Sequence, residues 1–329
     1  MCTAFSVVAG NHYFGRNLDL DHHYNEEITI TPRGYHFPFR HASQPAAQYA
    51  MIGVATIVDG YPLYYDAVNE KGLCIAGLNF PGNAVYHPID SKRTNIASYE
   101  LIPWILRQCE TVEDAKSLIN TINLCDSSFS DDLPTTPLHW IISDQEWTIT
   151  IEPMGDGIKI IDNPVRILTN NPPFPYHIHN LANYINLTAC KAINRFSEEL
   201  NLQPYSLGMG AIGLPGDFSS ASRFVRCAFM KENSVWGSSE EERISQIFHV
   251  LDGVSQLEGC VEAQKGYEKT LYSICCNAAK GIIYYTTYQN RQITAIDMHR
   301  ESLNDNKPIT FPLVNEPQIK YLNQSTPPS

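Results

Sequence analysis

The second residue of this chain carries chemistry that the rest of the sequence would have to support. Once Met1 is removed, Cys2 holds a thiol nucleophile and a free α-amine on one residue. A free α-amine titrates at about 7.7–8.0, so a useful fraction is neutral near pH 7 and can accept the thiol proton. Only the thiolate is the nucleophile, and a nearby arginine would favour it. Arg16 is the candidate for that role, and Asp19 is the candidate carboxylate for holding the amine.

A cysteine at position 2 is a weak signal by itself, because chance explains a lone cysteine better than catalysis does. A papain-like enzyme would need its cysteine at a helix start, and no G-x-S-x-G motif marks a serine nucleophile. The pairs His22-His23 and His177-Ile178-His179 lack the context of a metal site, and packing explains His139 beside Trp140. We therefore predict no metal and no cofactor.

Two asparagines stand at the ends of apolar stretches that resemble strands. Asn79 precedes Phe80-Pro81, and Asn170 follows Leu168-Thr169. An asparagine at a strand end is usually a turn residue, but as a pair they could donate N–H groups to an oxyanion. Arg223 interrupts the start of a predicted helix, where it either forms a surface ion pair or reaches a buried anion.

A hairpin must bring Arg16 and Asp19 to Cys2. Thr3 to Val8 and Tyr13 to Asn17 are typical of strands, with Gly10-Asn11 as the turn. Residues three apart on a regular strand face opposite ways. We therefore predict that the second strand ends or bends near Asn17.

The remaining pattern alternates strands with helix pairs. Strands are predicted in the ranges 50–58, 63–67, 73–80, 138–143, 148–152, 158–161, 166–169, 271–277, 281–288 and 292–298, and helices in the ranges 98–109, 111–122, 219–231 and 238–257. This order indicates an α+β fold in which two antiparallel sheets pack together with helix pairs outside. No linker or repeat divides the chain, so we predict one domain, 1–329. The loop 126–137 carries Phe129 and Leu133, which suits either a loop over a ligand cleft or satellite packing.

Composition limits the partners. The net charge is −12 and no run of five like charges occurs, which argues against nucleic acid and anionic membranes. No stretch approaches the roughly 20 apolar residues that span a bilayer, and the N-terminus lacks a secretory pattern, so we expect a cytoplasmic protein. The nine cysteines include no C-x-x-C motif, and we interpret most of them as reduced core residues.

Motifs along nearly the whole chain together resemble the choloylglycine hydrolase family, whose members are N-terminal-nucleophile enzymes that include conjugated bile salt hydrolases and penicillin V acylases. The matching segments are Cys2-Thr3, Phe14-Gly15-Arg16-Asn17-Leu18-Asp19, Asn69-Glu70-Lys71-Gly72-Leu73, Gly77-Leu78-Asn79-Phe80-Pro81, Leu138-His139-Trp140, Leu168-Thr169-Asn170, Leu214-Pro215-Gly216-Asp217-Phe218 and Ala221-Ser222-Arg223-Phe224. The resemblance implies an αββα four-layer sandwich, a homotetramer, and loss of Met1.

The same resemblance implies a role for each site residue. Cys2 would be the nucleophile, Arg16 and Asp19 would support its thiol and amine, Asn79 and Asn170 would form the oxyanion hole, and Arg223 would stabilise the charged site. The residues that match the steroid pocket of relatives are Leu18, Val58, Tyr65, Phe129 and Leu133. Tyr65 is bulkier than the small residue of some relatives.

The expected reaction is hydrolysis of the amide bond in glycine- or taurine-conjugated bile salts. Relatives that cleave penicillin V often carry tyrosine where this chain has Asn79, which favours bile salts. Penicillin V or another N-acyl amide, such as an acyl-homoserine lactone, is the alternative substrate. A binding protein that kept the fold without catalysis is the alternative from a different class.

Overall fold

The computed structural model describes residues 1–46 and 48–323. Residues 47 and 324–329 of the predicted single domain lie outside the described part.

Strands dominate the described part of the chain. In order, the strands are β1 (Cys2–Ala9), β2 (Asn11–Leu20), β3 (Glu27–Thr31), β4 (Met51–Val58), β5 (Tyr61–Asn69), β6 (Cys74–Asn79), β7 (Thr94–Ala97), β8 (Ile122–Cys125), β9 (Leu138–Ser143), β10 (Thr148–Met154), β11 (Gly157–Asp162), β12 (Ile167–Leu168), β13 (Glu262–Ala263), β14 (Gly266–Tyr267), β15 (Lys269–Asn277), β16 (Ile282–Thr287), β17 (Thr294–Asp297) and β18 (Ile309–Pro312). The α-helices are α1 (Leu101–Leu106), α2 (Val112–Ile119), α3 (Phe174–Leu181), α4 (Ser220–Asn233) and α5 (Glu240–Asp252).

Two large antiparallel sheets form the centre of the fold. The first has six strands in the order β12-β1-β2-β15-β16-β17, and the second has eight in the order β11-β10-β9-β6-β5-β4-β3-β18. Smaller pairs join β7 to β8 in parallel and β13 to β14 in antiparallel. The strand that begins with Cys2 therefore lies inside the first sheet, between β12 and β2.

Helices cover both outer faces, which confirms the predicted αββα sandwich. One apolar cluster joins the facing sides of both sheets to α4 and α5, and includes Ile141 and Ile247. A second cluster joins the other side of the eight-stranded sheet to α1 and α2, and includes Ile75 and Ile105. Successive residues of β6 alternate between the clusters, because Ala76 belongs to the first and Ile75 to the second.

The helix starts set by capping residues agree with the sequence prediction. Reciprocal capping boxes open α2 at Thr111 with Asp114 and α5 at Ser239 with Glu242. The helix predicted from residue 98 to 109 is shorter, with a 3-10 turn over Ser98–Glu100 before α1. The helix predicted from residue 111 to 122 is also wrong in extent, since α2 ends at Ile119 and residue 122 begins β8. A further α-helix, α3, runs from Phe174 to Leu181, where no helix was predicted.

Candidate active site

Cys2 is the first residue of β1 and is only 3% exposed. It lies opposite Leu18 on β2, and Ala4 lies opposite Arg16. Opposite residues of an antiparallel pair share a face, so Cys2 and Arg16 belong to one side of the sheet. An Arg16 Nη2–H donates to the Cys2 Sγ at 3.5 Å. The thiol therefore has a positively charged neighbour.

Arg16 is fully buried and held rigidly by groups from three other strands. Its Nη1 donates to Asp66 Oδ2 at 2.7 Å, and its Nη2 donates to the Gly77 carbonyl at 2.9 Å. The Tyr272 hydroxyl also donates to Asp66 Oδ2 at 2.7 Å. Burial opposes the charge, but Tyr272, Cys2 and Asp66 outweigh it, so the pKa of Arg16 lies above its ordinary value. The guanidinium remains charged beside the thiol.

Asp19 belongs to the opposite face of β2, and the predicted bend near Asn17 is wrong. β2 runs unbroken to Leu20, and the register shift lies between Thr270 and Tyr272 on the partner strand. No bend is needed to bring both residues to the start of β1, because the Asp19 N–H donates to the Met1 carbonyl at 2.9 Å while Arg16 Nη2 lies 3.5 Å from the Cys2 sulfur.

The Asp19 carboxylate is buried. Its Oδ1 accepts from Thr270 Oγ1 at 2.6 Å, and its Oδ2 has no hydrogen-bond partner among the described residues. Burial raises the pKa of Asp19 above its ordinary value, against the opposing charges of Arg223 and the N-terminal ammonium. One carboxylate oxygen is thus available to a new donor at the start of β1.

Met1 blocks the Cys2 nitrogen by holding it in a peptide bond. The Met1 ammonium donates to the Asp19 carbonyl at 2.6 Å and forms a 2.8 Å ion pair with Glu268. The Cys2 nitrogen donates to Asn170 Oδ1 at 2.8 Å. The nitrogen that would become the α-amine therefore already contacts a predicted site residue.

Asn170 links Cys2 to Asn79. Its Nδ2 donates to the Asn79 carbonyl at 2.8 Å. An amide NH₂ carries two N–H groups, so one remains without a partner among the described residues. The Asn79 side chain is partly exposed and makes no hydrogen bond among the described residues. Both asparagines therefore retain donors for a ligand.

Arg223 reaches the backbone of Cys2 from α4 and is fully buried. It donates to the Cys2 carbonyl, to Thr3 Oγ1 at 2.6 Å and to Asn170 Oδ1 at 2.8 Å. Burial lowers the pKa of Arg223, although Asp19 and Cys2 oppose that shift. Arg223 is therefore buried and forms no surface ion pair with the described residues, and its hydrogen-bond partners among them are neutral oxygens.

The five predicted pocket residues lie in different surroundings. Leu18 is opposite Cys2, and Tyr65 packs against the same apolar cluster while its hydroxyl meets Thr56 Oγ1 at 2.9 Å. Phe129 packs instead on Tyr61 and Tyr99 in the second cluster, with ring centroids 5.4 and 5.3 Å apart. Val58 and Leu133 are half-buried.

Sequence reasoning missed Asp66, Thr270 and Tyr272, which hold the predicted residues in place. A carboxylate within the otherwise apolar strand 63–67 was the available signal for Asp66. Among the described residues no three His, Cys, Asp or Glu side chains gather as a metal site. No described helix is long and apolar enough to cross a membrane.

The fold and the site together define an amidohydrolase with a cysteine at its N-terminal strand. The sequence profile described as linear amide C–N hydrolases, choloylglycine hydrolase family, matches residues 2–311. The chain belongs to this family, as the sequence motifs predicted.

Similar proteins match over their full length. A bile salt hydrolase/transferase from Lactiplantibacillus plantarum is 48% identical over 98% of this chain and 100% of the relative. A conjugated bile acid hydrolase from Lactobacillus gasseri is 37% identical over 94% of this chain and 100% of the relative. A variant of conjugated bile acid hydrolase from Clostridium perfringens superposes with a TM-score of 0.90 at 34% identity, covering 98% and 100% of the two chains. Penicillin V acylase from Agrobacterium tumefaciens, at 18% identity and a TM-score of 0.75 with 94% and 90% covered, shares the fold.

Proposed function

We propose that this chain, after loss of Met1, hydrolyses the amide bond of glycine- or taurine-conjugated bile salts. Family membership and the names of the full-length relatives support the substrate class. The observation that carries the proposal is the surroundings of Cys2, whose sulfur lies 3.5 Å from Arg16 Nη2 and whose nitrogen lies 2.8 Å from Asn170 Oδ1. Nucleophile, charge partner and amide group thus meet at one residue.

Excision of Met1 turns the Cys2 nitrogen into an α-amine. Asn170 Oδ1 already accepts from this nitrogen, and Asp19, whose N–H donates to the Met1 carbonyl, has an Oδ2 with no partner in the described part of the chain. The neutral amine takes the thiol proton, which produces a thiolate and an ammonium on the same residue. The guanidinium of Arg16 stabilises the thiolate, and Asp19 orients the ammonium.

The thiolate attacks the amide carbonyl carbon, and the carbonyl π electrons move to oxygen. The uncommitted Nδ2–H of Asn170 and a donor of Asn79 stabilise this oxyanion. As the tetrahedral intermediate collapses, the C–N bond breaks and the leaving nitrogen takes a proton from the Cys2 ammonium. Glycine or taurine departs, and a thioester remains on Cys2.

Water completes the turnover. The Cys2 amine, neutral again, takes a proton from water as the water oxygen attacks the thioester carbonyl. The C–S bond then breaks, and the free bile acid leaves. The thiolate regains its proton from the ammonium, which restores the starting state. Arg223 holds the Cys2 carbonyl and Asn170 Oδ1 through both halves of the cycle.

The steroid would lie on the apolar side chains near Cys2. Leu18, as the cross-strand neighbour of Cys2, and Tyr65 are the best placed of the five pocket residues. For Val58, Phe129 and Leu133 a place in the pocket rests on the family resemblance alone, since no described contact joins them to Cys2. We expect Leu18→Ala to raise KM for glycocholate more than Phe129→Ala does, because Phe129 packs on Tyr61 and Tyr99.

The test combines intact mass with release of glycine and taurine from glycocholate and taurocholate. Loss of Met1 with release of either amino acid supports the proposal, and Cys2→Ala should abolish that release. Loss of Met1 with cleavage of penicillin V alone would replace the substrate but keep the mechanism. Full activity with Met1 retained would refute the amine mechanism, and no turnover of any amide would leave the binding-protein alternative.

The proposal includes a homotetramer in the cytoplasm and a single domain, 1–329. Support for assembly comes from the segment 185–212, where large apolar side chains are exposed in one chain, as is typical of a protein interface. These side chains are Ile185, Ile193, Phe196, Leu200, Leu202, Tyr205, Leu207 and Ile212. Light scattering should give four times the chain mass, and a monomer would refute the assembly.

Fractionation of producing cells tests the proposed cytoplasmic location. One cooperative unfolding transition tests the proposed single domain.

A further inference from the structure

The backbone that carries Asn170 lies outside regular secondary structure. β12 ends at Leu168 and α3 begins at Phe174, so strand or helix partners do not bind the Asn170 peptide groups. Buried peptide groups need partners, and here side chains provide them. The Asn170 N–H donates to Ser220 Oγ at 2.8 Å, and Ser220 Oγ donates to Thr169 Oγ1 at 2.9 Å.

Two buried histidines donate to consecutive carbonyls of this segment. His139 Nε2 lies 2.8 Å from the Thr169 carbonyl oxygen, and His177 Nε2 lies 2.9 Å from the Asn170 carbonyl oxygen. A carbonyl only accepts, so Nε2 carries hydrogen in both rings. Both histidines are fully buried. Since the rings come from β9 and α3, two separate elements hold the backbone on either side of the Asn170 nitrogen.

The His139 ring also connects Asn170 to Asn79. It stacks on Phe80 with centroids 4.2 Å apart and planes 7° from parallel. Phe80 directly follows Asn79 in the chain. One imidazole therefore contacts both strand ends that carry the proposed oxyanion donors.

The His177 ring makes the equivalent connection to Arg223. It stacks on Phe224, which follows Arg223, with centroids 4.8 Å apart and planes 20° apart. Its Nδ1 has no hydrogen-bond partner among the described residues. Arg223 in turn donates to Asn170 Oδ1 at 2.8 Å. The His177 ring therefore contacts both the Asn170 backbone and α4, the helix whose Arg223 binds the Asn170 side chain.

We propose that His139 and His177 are positioning residues that orient the Asn170 amide toward the oxyanion. The inference rests on the proposed function, because it assigns these rings a task only if Asn170 stabilises the reacting carbonyl. Neither ring hydrogen-bonds Cys2 or carries a proton in the reaction. Their effect passes through the Asn170 backbone, so it should disappear when the Asn170 amide is absent.

A pair of substitutions at His177 separates the hydrogen bond from the ring, whereas at His139 phenylalanine also removes the 3.3 Å contact between Nδ1 and Glu152 Oε1. Phenylalanine keeps a planar ring for stacking but removes the Nε2–H donor, whereas glutamine keeps an amide N–H near that position. We expect His177→Phe and His139→Phe to lower kcat for glycocholate roughly tenfold to a hundredfold, because small misplacements of a catalytic group have effects of this size. KM should change less than about twofold, and glutamine should restore part of kcat at either site.

His179 provides the matched control. It lies on the same helix, two residues after His177, and is exposed. His179→Phe should keep wild-type kcat and KM. Thermal unfolding shows whether each variant is folded. At each site, kinetic conclusions are drawn from the variant whose melting temperature lies nearer to the wild-type value.

A double-mutant cycle with Asn170→Ala decides the mechanism. Adding His177→Phe to Asn170→Ala should reduce kcat less than twofold further, since a positioning effect has nothing left to position. If the fold-reductions in kcat from His177→Phe and Asn170→Ala multiply in the double variant, the inference is overturned. Wild-type kcat in both phenylalanine variants would also overturn it. If the wild type cleaves only penicillin V, the cycle is run on that amide, because the oxyanion is common to both substrates. A wild type that cleaves neither contradicts the proposed function, and the inference falls with it.

Discussion

The buried ion pair between Arg16 and Asp66 should make Asp66→Asn unusually destabilising. Both side chains are 1% exposed, and the atoms Arg16 Nη1 and Asp66 Oδ2 are 2.7 Å apart. Asparagine preserves shape but removes the countercharge, which leaves a guanidinium buried without a partner carboxylate. Removing one member of a buried pair lowers the free energy of unfolding by about 3–5 kcal/mol.

This loss converts into a measurable change in melting temperature. Unfolding entropy is roughly 2.1 cal/mol/K per residue, or about 0.7 kcal/mol/K for the 329 residues of the chain. A loss of about 3–5 kcal/mol therefore lowers Tm by roughly 4–7 °C. Calorimetry and urea unfolding at one fixed protein concentration provide the two measurements, because any assembly makes Tm depend on concentration.

Asp252→Asn is the matched control, because it makes the same chemical change in an exposed pair. Asp252 pairs with Arg291, and the two side chains are 37% and 57% exposed. Water stabilises the arginine that remains, so the loss should be about 0–1 kcal/mol. Equal losses in the two variants would refute the argument that burial makes the Arg16 pair indispensable.

Three further outcomes are expected. Asn170→Ala should lower kcat about 10²–10³-fold, equal to about 2.7–4 kcal/mol, through loss of an oxyanion donor, and near-wild-type kcat would remove Asn170 from the mechanism. Burial, aided by Arg166, lowers the pKa of His12 from 6.5 to about 4, so the unfolded chain binds the proton first and stability falls as pH drops from 6.5 toward 4. The loss is at most about 3 kcal/mol, and His12→Gln should flatten this part of an acid-unfolding curve followed by fluorescence, whereas an unchanged slope contradicts the assignment. Ser239→Ala should lower the free energy of unfolding by about 1 kcal/mol because it removes the cap of α5, and an unchanged urea midpoint would show that the cap is dispensable.

Features that depend on neighbouring residues were predictable from the sequence. Alternating apolar residues placed most strands of both sheets, and the pairs Thr111 with Asp114 and Ser239 with Glu242 marked helix starts. These signals are local, because a cap or a strand face is set within a few residues. The parallel pair β7 and β8 was missed because the four residues of each strand carry no turn that links them.

The predicted bend near Asn17 failed for a related reason. Alternation along β2 correctly placed Arg16 and Asp19 on opposite faces. The sequence does not show that Cys2 begins β1 opposite Leu18, so that Arg16 meets the thiol while Asp19 pairs with Met1 through the backbone. The pairing of β1 with β2 decided this, and it needs no bend in β2.

The sequence by itself determined the family and the αββα fold, and it singled out Cys2, Arg16 and Asn170 as candidates, because these depend on residue types in order along the chain. Only the tertiary structure decided which side chains hold them. Asp66 lies 50 residues from Arg16 along the chain, and His139 lies 30 residues from the Thr169 carbonyl, yet both meet their partners within hydrogen-bond distance. Contacts of this kind depend on how two sheets and their helices pack, and packing is set by the shape of the whole core rather than by any local pattern.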